Sequence, residues 1–147
     1  AGLMVRVLSE VEVGVARPVE QDGSLSSRAP KLTKNDGLIP WGKSAREVHN
    51  HIRGMTPWPG AFTFAADGRT GKRLRLTVLR SVVADAEGRQ GDPGTVLSAS
   101  DDGLRVACGE GTVRLTELKP AGARAMSAAE FARGHMSDVT MRFTNDE

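Results

Sequence analysis

Hydrophobic positions near the start of the chain recur at helical spacing. The apolar positions of this pattern are Leu3, Val7, Leu8 and Val11. They share one helical face, and Gly14 followed by Pro18 ends the pattern, which predicts a short amphipathic helix within residues 1–16. Over residues 17–40 the periodicity disappears, while serine, glycine, proline and basic residues accumulate. This stretch is predicted to be an extended basic linker.

A second helical pattern follows the linker. Ser44 and Glu47 match a capping box, in which each side chain accepts a hydrogen bond from the backbone amide of the other residue. The predicted buried face is Ala45, Val48 and Ile52, and the opposite face carries Arg46, Asn50 and Arg53. Gly54 is predicted to end the helix in the left-handed conformation.

Two prolines and a tryptophan form a corner directly after this helix. Proline does not continue a helix, so Pro57-Trp58-Pro59-Gly60 turns the chain toward Ala61. The chemistry of this corner is apolar. We therefore expect its residues to pack between the helix and the first strand.

Beyond the corner the hydrophobic period changes from that of a helix to that of a strand. Phe62, Phe64, Leu74, Leu76 and Val78 are assigned to one side, and Arg73, Arg75 and Thr77 to the opposite side. Three more strands are predicted around Gly94–Ala99, Leu104–Cys108 and Thr112–Leu118. The turn sequences Asp101-Asp102-Gly103 and Gly109-Glu110-Gly111 separate these three strands.

Five short strands joined by tight turns favour a closed or partly closed barrel, because closure removes exposed strand edges. A second capping box, Ser127 with Glu130, predicts a final helix over Ala128–Arg133 that Gly134 ends. An extended segment with Met136, Val139, Met141 and Phe143 is expected to dock behind it. The predicted fold is mainly β with short helices: an OB-like five-stranded barrel within residues 41–147, preceded by the linker and the amphipathic helix.

The composition is that of an ordinary globular chain. With 147 residues, 39% of them hydrophobic, it buries enough surface to fold without a disulfide or a structural metal. Its single cysteine, Cys108, has no disulfide partner within the chain, which indicates a reducing compartment, and we expect the cytoplasm. The helical pattern begins directly at Ala1 without a start methionine, so we expect a fragment of a longer protein.

The net charge of +2 is small, so the distribution of charge matters more than its sum. One basic zone consists of Arg28, Lys31 and Lys34, and the other of Arg69, Lys72, Arg73, Arg75 and Arg80. Such zones are typical of solvated faces and of phosphate-binding surfaces alike. Because the chain has no tyrosine, four phenylalanines and two tryptophans, base stacking is not expected to dominate. For an RNA ligand we expect recognition of backbone and shape.

No catalytic constellation is predicted. His49 and His51 point in different directions on a helix, and no cysteine or carboxylate completes a metal site with them. His135 is expected to be exposed or to cap a helix, and Cys108 to be buried and inert. The pair Asp101-Asp102 fits a turn better than acid–base catalysis.

Taken in order, several motifs resemble the C-terminal domain of methionyl-tRNA formyltransferases. They are Ala29–Ile39 followed by Trp41 and Ser44-Ala45 at the linker and the domain entry, Ile52–Thr63 around the corner, Pro93–Val96 and Gly103–Gly111 in the strands, and Leu118–Gly122, Ala125–Ala128 and Glu130-Phe131 near the end. The resemblance implies that residues 1–16 are the end helix of a preceding catalytic domain. It also implies that residues 41–147 form an OB-like tRNA-binding domain.

The activity implied by the resemblance is transfer of a formyl group from 10-formyltetrahydrofolate to initiator methionyl-tRNA in translation initiation. The family's folate site and catalytic residues precede the matched region, so no catalytic, cofactor-binding or metal-binding residue is assigned, and the fragment alone is expected to be inactive. The expected partners are initiator methionyl-tRNA and the N-terminal formyltransferase domain. No membrane partner is expected, and the parent is expected to be a monomer.

The tRNA contacts are predicted from two sources. The resemblance implies phosphate contacts for Lys31 and Lys34 in the linker, with Arg124 as a weaker match. The charge pattern alone adds Arg46, Arg53, Arg73 and Arg75. The sequence departs from the family pattern at Ala123, which replaces a lysine, and at Pro40, which replaces an acid. These departures concern the local contacts rather than the overall resemblance.

Two alternatives remain open. The chain is also compatible with the equivalent domain of another folate-dependent formyltransferase or hydrolase that acts on a small molecule such as a nucleotide sugar. A third interpretation is a passive domain that stabilises its neighbour.

Overall fold

A computed structural model describes residues 2–66, 73–136 and 141–145. The chain divides into two compact units, Ala1–Lys31 and Leu32–Glu147. Each unit is described by itself below.

The first unit contains one helix, α1 (Gly2–Glu12), and a single 3-10 turn at Gly23–Leu25. The predicted amphipathic helix is therefore present. None of its residues is buried, and Leu3 is 70% exposed. The apolar stripe of α1 is thus accessible to solvent.

The second unit is built on an antiparallel sheet. Its strands are β1 (Ala61–Ala66), β2 (Arg73–Asp85), β3 (Val96–Ser100), β4 (Gly103–Ala107), β5 (Thr112–Pro120) and β6 (Met126–Ser127). The strand order is β1-β2-β5-β4-β3, and β6 pairs with β5. The predicted mainly-β class is confirmed, with six strands in the described chain instead of five. The sixth strand was missed because its two residues are too few to show a period.

The outer strands β1 and β3 do not pair with each other in the described part of the chain. Instead, the C-terminal extended segment hydrogen-bonds to both sides. Thr144 exchanges two backbone hydrogen bonds with Phe64 of β1, and Phe143 donates to the carbonyl of Gly94 just before β3. The predicted docking of this segment is confirmed for Met141 and Phe143, while Val139 lies outside the described residues. The sheet is not a closed barrel, and the OB-like detail stays a prediction.

Two α-helices, α2 (Ala45–Gly54) and α3 (Ala128–His135), complete the described part of the second unit. Both predicted capping boxes are present, at Ser44 and at Ser127. The glycine predictions were less accurate. Gly54 ends α2 without a left-handed conformation, and Gly134 lies inside α3 instead of ending it.

The core lies between the sheet and the two helices of the second unit. α2 contributes the predicted face, Ala45, Val48 and Ile52, and α3 contributes Phe131. Trp41 stacks on Phe143 with ring centroids 5.6 Å apart, and its indole N–H donates to the buried Thr63 hydroxyl at 3.0 Å. These contacts join the chain before α2, the first strand and the C-terminal segment.

The corner after α2 differs from its prediction. Trp58 is 56% exposed and Pro57 is also exposed, so the expected packing of the whole corner is wrong. Gly60, by contrast, is buried, and its φ of 87° is a conformation that other residues rarely adopt. The apolar character of a residue does not decide whether a protruding turn buries it.

Candidate nucleic-acid interface

The outer face of the β1–β2 hairpin combines aromatic and cationic side chains. The strand register sets Phe62 opposite Thr77 and Phe64 opposite Arg75. Directly opposed residues of an antiparallel pair project to the same face. The phenylalanines therefore share the arginine face, and their predicted placement beside Leu76 and Val78 is wrong. We call this surface, made of Phe62, Phe64, Arg73, Arg75 and Thr77, the arginine face.

A guanidinium group lies over each phenylalanine ring of the arginine face. The Arg75 guanidinium carbon lies 3.9 Å from the centroid of the Phe62 ring, and that of Arg73 lies 5.4 Å from the Phe64 centroid. Contacts within about 6 Å are attractive because the ring face is electronegative. Arg73 also donates to the Thr144 hydroxyl at 3.2 Å. The rings are only 7% and 8% exposed, whereas both arginines are exposed.

A cleft of about 240 Å³ opens beside the same two rings. It is lined by Asn35, Leu38, Phe62, Phe64 and Asn145. We call it the asparagine cleft, because the only two amide side chains that line it are those asparagines. Its floor is apolar.

The asparagine cleft is built by two chain segments that bond to the same edge of β1, the edge that β2 does not occupy. A 3-10 turn, Lys34–Gly37, precedes Leu38, which forms a parallel bridge with Phe62. Gly37 packs against the carbonyl oxygen of Gly60, where a Cβ atom would clash with backbone. Two residues further along the same edge, the bridge between Phe64 and Thr144 brings Asn145 to the cleft.

The turn that presents Lys34 and Asn35 is closed by hydrogen bonds. The Thr33 backbone amide and its hydroxyl both donate to the Asp36 carboxylate. These two donors lower the pKa of Asp36, because they favour its ionised form. Lys34 therefore sits at the start of a locally defined turn beside the cleft.

The other predicted contact residues lie elsewhere. Arg46 and Arg53 are exposed on α2, and Arg53 donates to the Asn50 side chain at 3.1 Å. Arg53 lines a different cleft, together with His49 and Arg80. Arg73 and Arg75 thus lie together on the β1–β2 hairpin, Lys34 lies in the turn that leads to the asparagine cleft, and Arg46 and Arg53 lie on α2.

The two remaining predicted tRNA contacts are Arg124 and Lys31. Arg124 is exposed in the connection between β5 and β6, and its charge helps to lower the pKa of Glu130 after the stronger effect of hydrogen bonds from Ser127. Lys31 is exposed at the end of the first unit.

Sequence reasoning missed Lys119, which is exposed and pairs in register with Thr77. It therefore adds a cation next to the arginine face. The predicted fifth strand stopped at Leu118, although the alternation continues to Pro120. Asn35 and Asn145 were missed because no local pattern marks residues from opposite ends of the chain as neighbours.

The residues considered for catalysis or metal binding are buried or contact other side chains of the fold. Burial raises the pKa of the Cys108 thiol to about 11, and His49 Nδ1 lies 3.0 Å from the Ser81 hydroxyl. His135 stacks on Phe131. Over the described residues, no three histidine, cysteine or acidic side chains gather to hold a metal ion. In that same part of the chain, no helix combines the length and apolar character needed to span a membrane.

Similar proteins share this region as a domain of a longer chain. The methionyl-tRNA formyltransferase of Chlamydia trachomatis serovar L2b is 39% identical over 142 residues, covering 96% of this chain and 44% of the relative. That of Heliobacterium modesticaldum is 39% identical over 145 residues, covering 97% of this chain and 46% of the relative. The chain spans less than half the length of these relatives.

The fold also occurs in a solved structure. A HypX variant from Aquifex aeolicus matches with a TM-score of 0.58 and 20% identity, covering 92% of this chain and 24% of the other. At that identity the match concerns the fold alone. Residues 31–136 match the family described as "Formyl transferase, C-terminal domain". The resemblance noted in the sequence is confirmed, and the chain belongs to the family of formyl transferase C-terminal domains.

Proposed function

We propose that this chain is the tRNA-binding C-terminal part of a methionyl-tRNA formyltransferase. The parent enzyme would transfer a formyl group from 10-formyltetrahydrofolate to initiator methionyl-tRNA. The similarity to methionyl-tRNA formyltransferases over nearly the whole chain carries this proposal. The folate co-substrate and the catalytic residues would belong to a preceding domain.

The domain boundaries form part of the proposal. Residues 1–16 would be the end helix of the catalytic domain, residues 17–40 the linker, and residues 41–147 the tRNA-binding domain. The exposed apolar stripe of α1 supports the first boundary, because a preceding domain would cover it. We further propose a cytoplasmic, monomeric parent without a membrane partner.

The role of this chain would be to position the substrate. Arg73 and Arg75 lie on the β1–β2 hairpin, where strand pairing and cation–π contacts hold their guanidinium groups, and Lys34 is exposed in the turn before the asparagine cleft. Cations on a fixed surface attract RNA phosphates without reading sequence. Lys31, Arg46, Arg53 and Arg124 would add contacts outside this hairpin. Holding the tRNA body in place would direct its aminoacyl end to the distant active site.

Binding of the chain to initiator tRNA tests the proposal. Affinity is measured at about 50 mM and about 200 mM salt, and it should fall steeply because phosphate contacts release counterions. The combined variant Lys31→Ala and Lys34→Ala should lower the slope of log K against log salt by about 0.7–0.9 for each phosphate that is no longer neutralised. Arg89→Ala, which removes a cation paired with Asp92, is the control and should leave the slope unchanged.

Two results would overturn the proposal: salt-insensitive binding, or identical slopes for wild type and the lysine variant. The same titration separates the competing functions. If the domain instead shapes an active site for a small molecule, or only stabilises its neighbour, it would bind initiator tRNA no better than it binds an unrelated folded RNA.

A further inference from the structure

The asparagine cleft has the chemistry of a small ligand site. Leu38, Phe62 and Phe64 form its apolar floor, while Asn35 and Asn145 supply amide donors and acceptors. Pockets for drug-sized ligands hold about 300–1,000 Å³, so a cleft of 240 Å³ accommodates one flat ring system and not a large cofactor. The occupant that fits is small, planar, and able to form hydrogen bonds at its edges.

The floor of the cleft is fixed before any ligand binds. The rings of Phe62 and Phe64 meet edge to face, with centroids 5.8 Å apart and planes at 88°. Arg75 and Arg73 lie over these same rings. Rings held on several sides lose little freedom on binding, which favours affinity.

Three cations and one carboxylate, that of Asp36, lie next to the lining residues of the cleft, either along the chain or over the rings. Lys34 immediately precedes Asn35, and the two guanidinium groups lie against the rings that line the cleft. A ligand that places a planar ring in the cleft would therefore have an anionic group within reach of a cation. A flat base joined to a phosphate combines these properties.

We propose that the asparagine cleft binds one unpaired nucleotide of an RNA ligand. The base lies on Leu38 and the two phenylalanine edges, and the Asn35 and Asn145 amides hydrogen-bond to its edge. Arg73, Arg75 and Lys34 contact the adjoining phosphates. Proteins commonly hold unstacked RNA bases by such apolar and polar contacts. The identification of RNA rests on the proposed function, and the site adds base recognition to the backbone recognition expected from the sequence.

The test compares two RNA probes with the full 147-residue chain. One probe is a fluorescein-labelled single-stranded octamer of mixed sequence, and the other is a fully paired RNA duplex. The variant combines Asn35→Ala with Asn145→Ala, which leaves the net charge unchanged. The loss of two neutral hydrogen bonds should weaken octamer binding by about 5- to 150-fold. Duplex affinity should change by less than about twofold, because its bases are not available to the cleft.

Gln21→Ala is the matched control, since it removes an exposed amide side chain at a residue outside the proposed contacts. It should leave octamer binding within about twofold of wild type. Because both asparagines of the cleft are exposed, we expect the double variant to fold. Thermal denaturation of each variant checks that the fold is retained.

The outcomes separate the two proposals. Equal octamer affinity for wild type and the double variant would overturn the nucleotide site, as would equal losses for octamer and duplex. Neither result affects the initiator-tRNA salt slope, which tests the tRNA role. Octamer binding that depends on the asparagines, without salt-sensitive binding of initiator tRNA, would support the site and contradict the proposed function.

Discussion

Replacing Thr63 with valine tests the buried hydrogen bond that joins the chain before α2 to the sheet. The Trp41 indole N–H donates to the Thr63 hydroxyl at 3.0 Å, and this hydroxyl donates to the Thr144 carbonyl at 3.1 Å. Thr63 has no exposed surface. Valine has nearly the same shape as threonine, so the substitution removes the hydroxyl without opening a cavity.

The expected loss of stability depends on which hydrogen-bonding groups keep a partner in the variant. The Thr144 carbonyl keeps the Phe64 backbone amide as a donor at 3.1 Å, so the principal loss is the acceptor of the Trp41 indole. A buried donor left unsatisfied costs about 1–3 kcal/mol. The free energy of unfolding of Thr63→Val should therefore fall by about this amount, with an unchanged dependence on denaturant.

Urea denaturation followed by circular dichroism measures this difference. Thr63→Ser is the control, because it keeps the hydroxyl and loses only a methyl group, at a cost of about 1 kcal/mol. In a cycle with Trp41→Phe, the valine substitution should cost less once the indole N–H is absent. Wild-type stability of Thr63→Val, or an equal cost of valine in both backgrounds, would refute this reasoning.

Three further predictions concern a pair of glycines, a helix cap and the cysteine. Gly109→Ala places a Cβ atom against the backbone of Gly42 and should lower the free energy of unfolding by about 1–3 kcal/mol in urea denaturation. Gly134 lies within α3, where a Cβ atom meets no neighbour, so Gly134→Ala should raise the free energy of unfolding by about 0.5–1 kcal/mol. Hydrogen bonds from Ser127 lower the pKa of Glu130 in the folded chain. The stability that ionised Glu130 contributes is therefore fully present above the ordinary glutamate pKa of about 4.3, and it is lost as the pH falls through the lowered pKa of the folded state. The difference in melting temperature between wild type and Glu130→Gln should therefore narrow on acidification, and a constant difference would contradict the assignment. Because the pKa of Cys108 is raised to about 11, its alkylation by iodoacetamide at about pH 8 should be slow in the folded chain and fast in urea, as mass spectrometry would show.

The helices were predictable because their signals are local. The capping boxes at Ser44 and Ser127 lie within four consecutive residues each, and the structure contains both. The faces of the first hairpin were harder to predict. Which side Phe62 and Phe64 occupy depends on the register between β1 and β2, which the alternation within either strand does not define. The exposure of Trp58 likewise depends on the direction in which its corner protrudes.

The candidate interface was predictable only in part. Charge clustering identified Arg73 and Arg75, since cationic residues stand out in any sequence, and the family resemblance identified Lys34. The asparagine cleft depends on Asn35 and Asn145, which approach each other because separate segments bridge to β1. Neither asparagine belongs to a recognisable motif. The polar part of the cleft follows from the tertiary fold alone.

Chemical protection of arginines by initiator tRNA tests most directly whether the arginine face holds the substrate. Phenylglyoxal modification is measured by mass spectrometry with and without the tRNA, and Arg89 of the Asp92 pair is the internal control. The proposed interface predicts several-fold slower modification of Arg73 and Arg75 in the complex, with Arg89 unchanged. Equal modification of Arg73 and Arg75 in free and tRNA-saturated protein would contradict it.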